Sequence, residues 1–227
     1  MKASALDFVM AGLLMGALAV LAGVFTAFAI VPLSTAVLGS YHVVADLLVL
    51  LLAYGLLSAA AVAIVLRLAP LRPGEYGMDD PLFTRWKLVH VVSEFGRGAL
   101  LPFTSVFAKP VVAKLFGARI GAGTALAGNM TDLPMISVGD GSILGLTSVV
   151  TGHAITSGRI ILREVRIGRG ATVGVGAVIM PGVVVGDGSI VAAGSVVALD
   201  TVIPPGEVWA GVPARRLRAA SPDELRG

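Results

Sequence analysis

Histidine is a rare residue in this chain, since only three occur among 227 residues. One of them, His153, lies within the polar and glycine-rich stretch SVVTGHAITSG, residues 148–158. A free histidine has a pKa of ~6.5, so a neutral imidazole is available near pH 7 to accept a proton from a hydroxyl or an amine. We therefore expect His153 to be a general base, a role that contributes about 10²–10⁴-fold to a rate.

Metal and thiol chemistry have no sequence pattern to support them. The chain has no cysteine, which excludes disulfides, thiolate ligands and a cysteine nucleophile. The other histidines, His42 and His90, lie far from His153 in segments of different character, so no spacing typical of a ligand cluster is visible. We expect no metal site.

Six-residue repeats on both sides of His153 indicate the scaffold that holds it. An aliphatic residue recurs at nearly every sixth position from Ile120 to Val150, and again from Ile167 to Val191. A short fixed period is typical of a solenoid. The pattern predicts a β-helix in which each hexapeptide forms one side, with the aliphatic residue pointing inward and small residues at the corners.

Two irregularities interrupt the repeats. Asp132 occupies an inward position of the first register, and burial of a carboxylate is costly, so residues 129–134 are predicted to form a small loop that projects from the helix. Val150 and Ile167 are 17 residues apart, one short of three hexapeptides, which predicts a bend or protruding loop beside His153. Asp132 and Glu164 are the candidate carboxylate partners of this histidine.

The N-terminal third is far more apolar than a soluble domain. The chain is 56% hydrophobic with a mean hydropathy of +0.91, and residues 8–31 and 47–66 are uncharged. Each stretch exceeds the ~18 residues that mark a candidate spanning helix, which predicts a transmembrane hairpin over residues 1–69. A signal peptide is the alternative for the first stretch, although its apolar core is longer than the usual ~7–15 residues.

Basic residues predict the orientation of this hairpin. Lys2 is the only lysine or arginine before Arg67, whereas four follow between residues 67 and 87. The positive-inside rule then places both termini and the repeats in the cytoplasm, with the connector 32–46 outside. We expect an integral protein of the inner, cytoplasmic membrane that contacts the lipid bilayer.

The remaining segments complete the predicted domain organisation. Residues 70–119 are interpreted as a linker and an amphipathic segment, with two short helices lying along the membrane surface and Trp86 and lysines at the headgroups. Residues 120–209 are the β-helix and residues 210–227 a basic tail. The net charge of +3 is scattered and aromatics make up 6%, which favours anionic lipid or a phosphorylated cofactor over nucleic acid.

The repeats resemble a known family. ISVGDGSILGLTSVVTGHAI and VRIGRGATVGVGAVIMPGVVVGDGSIVAAGSVVALDTVIPPGEVWAGVPARRLR look like segments of the trimeric hexapeptide-repeat acyltransferases. The closest likeness, over about residues 117–218, is to the maltose/galactoside acetyltransferase group. The chain is also similar to the C-terminal membrane and hexapeptide modules of polyamino-acid peptide synthetases. The resemblance implies an all-β, left-handed parallel β-helix, a homotrimer, and acetyl-CoA or another acyl-CoA as co-substrate.

The resemblance also implies roles for individual residues. His153 matches the histidine that deprotonates the acceptor at a trimer interface, and Ala193 matches a position whose backbone contacts the pantetheine arm. Arg218, assisted by Arg215, matches a basic residue near the CoA phosphates, although a solvated terminal charge cluster is an equal alternative. A lysine usual in the family after AGSVV is missing, because Ala198-Leu199 precedes Asp200 here.

The substrate side of the site is less fully matched. Asn129 corresponds to the family's substrate-side asparagine despite a different intervening length, and Asp132 is grouped with it.

These expectations lead to three functional hypotheses. The first is a membrane-anchored acyltransferase that moves an acetyl or similar group from acyl-CoA to a hydroxyl or amine of a membrane-associated acceptor. The second is an enzyme that joins activated amino-acid units at the membrane, from a carrier-protein donor. The third is a non-catalytic trimeric membrane scaffold, which would have no use for a histidine at a register break.

Overall fold

The computed structural model describes residues 5–221. The chain divides into two compact units. The residues up to Leu71, together with Pro81–Ser105, form a helical unit. Arg72–Asp80 and the residues from Val106 onward form a repeat unit.

The helical unit contains four α-helices and three short helical turns. In chain order they are α1 (Ala5–Phe25), a π-helical turn (Thr26–Ile30), α2 (Val31–Leu38), a 3-10 turn (Gly39–Tyr41), α3 (His42–Leu68), α4 (Pro81–Ala99) and a 3-10 turn (Leu101–Phe103). Helix α1 packs against α3, and α4 packs against both of them.

The predicted transmembrane hairpin of two helices, over residues 8–31 and 47–66, is wrong. Asp7–Leu68 forms one helical run that is long and apolar enough to cross a membrane, by length and composition. Pro32 does not prevent helix formation in the connector, because it stands in the first turn of α2, where a proline is tolerated. Ser34 Oγ and His42 Nδ1 each lie 2.6 Å from the Asp46 carboxylate, which joins α2 to α3 across Gly39–Tyr41.

Trp86 and Lys87 of the amphipathic segment are not presented to a membrane surface, so the prediction that these two residues lie at the headgroups is wrong. Trp86 is 4% exposed and Lys87 is 8% exposed, because this face of α4 packs inside the helical unit. Trp86 stacks between the rings of Phe83 and His90, with ring centroids 5.7 and 5.1 Å away. The expected break after the first helix is present, since α4 ends at Ala99.

Besides the 3-10 turn Leu133–Met135, the repeat unit contains one α-helix and eighteen strands. They are β1 (Gly74–Gly77), α5 (Lys109–Leu115), β2 (Arg119–Ile120), β3 (Ala125–Leu126), β4 (Asn129–Thr131), β5 (Ile136–Val138), β6 (Ile143–Leu144), β7 (Val149–Thr151), β8 (His153–Thr156), β9 (Arg159–Leu162), β10 (Val165–Ile167), β11 (Thr172–Val173), β12 (Val178–Ile179), β13 (Val184–Val185), β14 (Ile190–Val191), β15 (Val196–Val197), β16 (Val202–Ile203), β17 (Glu207–Gly211) and β18 (Ala214–Ala219).

Most of these strands stack into three sheets with parallel pairing, which confirms the predicted parallel β-helix of about five coils. The first sheet has the order β2-β5-β10-β13-β16, the second β3-β6-β11-β14-β17 with β18 added antiparallel, and the third β4-β7-β12-β15. Successive coils are 18 residues apart, as Ile167 pairs with Val185 and Val185 with Ile203. The left hand of the coil, which the resemblance implies, stays a prediction.

Aliphatic side chains fill the centre of the coils as the repeats predict. Each of the following is at most 7% exposed: Ile120, Leu126, Val138, Leu144, Val150, Ile167, Val173, Ile179, Val185, Val191, Val197 and Ile203. Burying one such side chain contributes about 1.5–3 kcal/mol. Close stacking at the corners needs glycine, because a Cβ on Gly174 would lie 2.5 Å from the backbone nitrogen of Ala193 in the next coil.

Residues 129–134 do not form a projecting loop, so this prediction is wrong. Met130 pairs with Val150 and occupies the inward position at 6% exposure. It lies four positions after Leu126 instead of six, so the inward position falls two residues before Asp132. The chain then enters a 3-10 turn, Leu133–Met135, whose first and last side chains are each 3% exposed.

A β-hairpin accounts for the slip between the two registers. Val138 and Ile167 are paired neighbours in the first sheet although 29 residues separate them, eleven more than a regular coil needs. The additional residues form β8 and β9, which pair antiparallel, and β1 pairs with the other edge of β9. His153 is the first residue of β8.

The C-terminal residues that the sequence predicts to be a tail include a strand. Strand β18 folds back antiparallel on β17 and extends the second sheet to Ala219. Residues 222–227 of the predicted tail lie outside the described residues.

The stacked core makes a stability prediction. Replacing Ile179, which is fully buried in β12, by alanine should lower the free energy of unfolding of the repeat unit by about 2–5 kcal/mol, since the cavity cannot collapse between fixed coils. Denaturant unfolding of the full chain in detergent, followed by the strand signal in circular dichroism, measures this change. Val175→Ala is the control, because Val175 is 56% exposed at a corner and its truncation should change stability by less than about 0.5 kcal/mol. Equal effects of the two variants would contradict the assigned core.

Candidate active site

His153 and Asp132 form a hydrogen-bonded pair at the register break. His153 Nδ1 lies 2.5 Å from Asp132 Oδ2. The aspartate side chain is 1% exposed and the histidine side chain is 22% exposed, so the buried carboxylate holds a ring that solvent can reach. The chain thus brings together residues 21 positions apart, one before β5 and one after β7.

The backbone of Asp132 has an unusual conformation that aims its carboxylate. Its φ and ψ are 59° and 50°, in the left-handed region, where aspartate is one of the few tolerated non-glycine residues. The turn that follows is closed by a 2.7 Å hydrogen bond from Met135 N to Asp132 O. A residue kept in a sparsely populated conformation at such a pair is typical of a functional site.

Gly152 lets this turn approach the histidine strand. A Cβ at position 152 would lie 2.7 Å from Met135 Cβ and 3.1 Å from Asp132 Cβ. A side chain there would push the Leu133–Met135 turn, and Asp132 with it, away from β7. The absence of a side chain is therefore what allows the aspartate to reach His153.

Thr151, two residues before His153, supports the histidine. Its Oγ1 accepts a hydrogen bond from His153 N at 3.3 Å and donates to His153 O at 3.0 Å. These contacts hold the backbone at the start of β8, where the chain leaves the regular coil.

The pair is arranged for proton transfer. A neutral imidazole that donates its Nδ1 proton to a carboxylate has Nε2 as its accepting nitrogen. The carboxylate fixes this tautomer and stabilises the positive charge that the ring acquires on protonation. The geometry can therefore remove a proton from a hydroxyl or amine placed next to Nε2.

The other candidate carboxylate, Glu164, is not brought to His153. Its Oε2 lies 2.9 Å from Arg166 and 3.7 Å from Arg119, in ion pairs on the outside of the first sheet. These pairs stabilise the surface only weakly, because all three side chains are at least one-third exposed.

Ala193 lies at the corner that leads from β14 into β15 and is an exposed residue. His153 follows β7, where the chain leaves the third sheet. Within one protomer these two predicted site residues therefore lie at different corners of the coil, one before the strands of the third sheet begin and one after they end.

The two predicted phosphate-binding arginines lie on β18. Arg215 and Arg218 are exposed, and their guanidinium groups donate to the carbonyls of Ala214 and Ala219. Arg216 between them is engaged differently, as its Nε donates to Glu207 at 2.7 Å.

Glu207 holds the base of this hairpin. The indole of Trp209 donates to its carboxylate at 2.8 Å, and that hydrogen bond, followed by the one from Arg216, lowers the pKa of Glu207 below its usual value. The carboxylate therefore stays charged near neutral pH and keeps Arg216 paired with it.

Asn129 is exposed on the third sheet, next to Val149 in the strand pairing. Two residues further along the same strand, Thr131 pairs with Thr151, the residue that holds His153. The outer surface of β4 therefore leads from Asn129 towards the histidine. Within residues 5–221, no group of three or more His, Asp or Glu side chains has an arrangement that could hold a metal ion.

Sequence reasoning placed Thr151 and Gly152 in a bend but assigned neither a role in positioning His153. Gly152 acts through its close approach to the Leu133–Met135 turn, which is 17 or more residues away in the chain, whereas Thr151 contacts His153 itself. The only local signal was the polar and glycine-rich composition around His153.

Residues 164–198 match the family profile described as bacterial transferase hexapeptide (six repeats). This match covers β10 to β15 and agrees with the hexapeptide-repeat resemblance of the coils. No curated protein sequence matches the chain. The likeness to peptide-synthetase modules stays a prediction.

Solved structures with similar coils include three acetyltransferases. A hexapeptide-repeat acetyltransferase from Vibrio cholerae O1 biovar eltor, complexed with acetyl coenzyme A, is 28% identical over 46% of this chain and 61% of its own, with a TM-score of 0.42. A galactoside acetyltransferase in complex with coenzyme A is 24% identical over 53% and 74%, with a TM-score of 0.44. A maltose O-acetyltransferase from Clostridium difficile 630 is 21% identical over 66% and 95%, with a TM-score of 0.44. This chain thus spans less than two thirds of the Vibrio protein.

The packing around Gly152 predicts how the pair can be broken without touching either member. Gly152→Ala should displace the Leu133–Met135 turn and lengthen the His153–Asp132 hydrogen bond, because the new methyl group overlaps Met135 Cβ. Nitrogen and proton NMR of the His153 ring should show loss of the hydrogen-bonded Nδ1 proton signal. Gly77→Ala in β1 is the control, since a Cβ there meets nothing within 4 Å. An unchanged ring signal in the first variant would refute the positioning role of Gly152.

Proposed function

We propose that this chain is a membrane-anchored acyltransferase. It moves an acetyl or similar acyl group from acyl-CoA to a hydroxyl or amine of a membrane-associated acceptor. The observation that carries this proposal is the pair of His153 with the buried Asp132 carboxylate at the break of a transferase-type hexapeptide repeat.

In the proposed reaction His153 is the general base. Its Nε2 takes the proton of the acceptor as the acceptor oxygen or nitrogen attacks the thioester carbonyl carbon. The carbon–sulfur bond then breaks, and the CoA sulfur takes the proton back from the imidazolium and leaves as the thiol. Asp132 keeps the ring oriented and stabilises its positive charge through both steps.

The proposed donor site lies on the coils and the strand β18 that come after His153 in the chain. The backbone of Ala193, an exposed corner residue, would contact the pantetheine arm, as the family resemblance implies. Arg215 and Arg218 would bind the phosphates of CoA. Both side chains are exposed, and guanidinium groups bind phosphate oxygens in a bidentate manner.

A homotrimer completes the proposed site. Within one protomer Ala193 precedes a strand of the third sheet and His153 follows one, so a single chain presents them on separate corners of the coil. A neighbouring subunit that packs corner to corner against this one would bring the histidine of one chain next to the donor surface of the other. Asn129, on the outer surface of β4, would then face the acceptor.

The membrane anchor supports an acceptor that stays at the bilayer. The apolar run Asp7–Leu68 is long enough to cross a membrane, and anchoring gains little for an enzyme whose acceptor diffuses freely. The basic residues that follow the apolar run favour the cytoplasmic side for the repeat unit, where acyl-CoA is available.

The base is tested by His153→Ala. With membrane extract as the acceptor source, CoA release should fall by about 10²–10⁴-fold while the affinity for acetyl-CoA is retained, because the imidazole acts on the acceptor rather than on the donor. Calorimetry and a thiol assay on protein purified in detergent measure the two quantities. Thr156→Ala, on the same hairpin, is the control with unchanged activity. Absence of acetyl-CoA binding in the unmodified protein would refute the CoA-dependent reaction and favour the carrier-protein or scaffold hypotheses.

The role of Asp132 is tested by Asp132→Asn with Glu164→Gln as its matched control. The amide retains the shape of the carboxylate but neither stabilises the imidazolium nor selects the Nδ1-protonated tautomer, so kcat should fall at least about tenfold. The KM for acetyl-CoA should remain unchanged. Glu164 is engaged by Arg166 and should tolerate the same change without loss. Equal losses in the two variants would contradict the assignment of Asp132.

A further inference from the structure

The helical unit contains a cavity that the acyl-transfer site does not use. It lies between α1 and α4 and has a volume of about 400 Å³, within the ~300–1,000 Å³ of sites that bind small molecules. Most of its lining is apolar, including Met10, Met15, Leu88 and Val91. Its open rim is apolar as well, with Phe8 71% exposed and Phe95 59% exposed.

A buried ion pair lies in the wall of this cavity. Lys87 Nζ donates to Asp7 Oδ2, and both side chains are only 9% exposed. The Lys87 ammonium also lies 4.4 Å from the centre of the Phe83 ring. Burial of two charges is costly even when they are paired, so a pair in an otherwise apolar wall calls for a physical reason.

Polar and apolar lining residues follow one another in the same order along both helices. On α1 the charged Asp7 comes first and apolar or small residues follow to Met15. On α4 Thr84 and Lys87 come first, and apolar residues follow to Phe95. Eight residues of helix span roughly 12 Å, so the cavity has one polar end and an apolar length. This distribution matches an amphiphile.

We propose that this cavity binds one hydrocarbon chain of an anionic phospholipid, with a phosphate oxygen at the Lys87 ammonium. An ammonium has three N–H donors, of which Asp7 accepts one and the Phe83 ring faces the charge, so a donor is available to a headgroup. Asp7, at the polar end, lies in the first turn of α1, where the helix dipole favours an anion.

The surroundings of the cavity favour a lipid over a water-soluble ligand. Helix α1 belongs to the apolar run proposed above as the membrane anchor. The lipid site rests on that proposal, because the neighbours of α1 in the bilayer would then be lipid chains. A soluble anion would use the charged end and leave the apolar length empty. A lipid chain fills that length while its phosphate reaches the ammonium.

Gly12 allows a direct test because it lines the cavity and a Cβ there meets nothing within 4 Å. Gly12→Trp should therefore fill the cavity without displacing the backbone. Gly16 is one turn further along α1, has equally open surroundings and does not line the cavity. Gly16→Trp is thus a control of the same helix, residue type and added volume.

The experiment measures lipid retained by the full chain. The delipidated protein in detergent is incubated with phosphatidylglycerol, and native mass spectrometry counts bound lipid per chain. The unmodified chain and Gly16→Trp should each retain one lipid per chain, and Gly12→Trp should retain at least tenfold less. Circular dichroism checks that all three keep their helices. Failure of the unmodified chain to retain lipid, or equal retention by Gly12→Trp, overturns the proposal.

The headgroup contact is tested by removing both charges together, because removal of one would leave a buried unpaired charge. The double variant Asp7→Leu with Lys87→Met should still bind a hydrocarbon chain. Its preference for phosphatidylglycerol over diacylglycerol should fall about tenfold, the effect of losing a hydrogen bond to a charged group. An unchanged preference overturns the assignment of the phosphate to Lys87.

This lipid site is independent of acyl transfer. The binding measurement contains no acyl donor and reports on α1 and α4 alone, whereas the tests of acyl transfer follow CoA binding and release. Loss of either result therefore leaves the other open to its own test.

Discussion

The stacking of one coil on the next is the constraint on which the repeat unit depends. Each coil must place an aliphatic side chain at three inward positions, and its corners must let backbone lie against backbone. Gly174 shows how tight this contact is, since its missing Cβ would reach the backbone of Ala193 at 2.5 Å. A regular stack of this kind is rigid because every inner strand pairs with a coil on each side, but its surface repeats without distinction. Chemistry requires a place where the repeat is broken.

The break is built from two departures that meet. Between Leu126 and Met130 the corner is two residues short, which turns the next residues into the Leu133–Met135 turn and leaves Asp132 in a left-handed conformation. One coil later, eleven additional residues form the β8–β9 hairpin, whose first residue is His153. Because the coils stack, the two departures lie against each other, and Gly152 removes the side chain that would keep them apart. The stiff coils on both sides then hold the pair in place.

The helical unit relies on a different interaction. An ion pair between Lys87 and Asp7 joins α4 to α1 within apolar surroundings, and the aromatic stack around Trp86 fills the adjacent face of α4. Because these two charged groups are buried and paired with each other, they stay fixed in the wall of the cavity between the two helices. Under the two proposals each unit binds a membrane component: the repeat unit binds a membrane-associated acceptor, and the cavity of the helical unit binds a lipid.

The sequence by itself determined the β-helix, its inward residues and the presence of an irregularity beside His153, because a six-residue period and an aliphatic side chain at each inward position are local properties. It also indicated an apolar N-terminal region, although it misjudged the helical structure of residues 32–46. It misjudged the face of α4 as well, since local composition does not show which face other helices bury. Only the tertiary structure decided that Met130 and not Asp132 faces the core, and that Asp132 and not Glu164 reaches His153. The physical reason is that the shortening of one corner by two residues changes which side chains point inward. The partners of His153 come from another coil, so their choice depends on how the coils stack rather than on their neighbours in the chain.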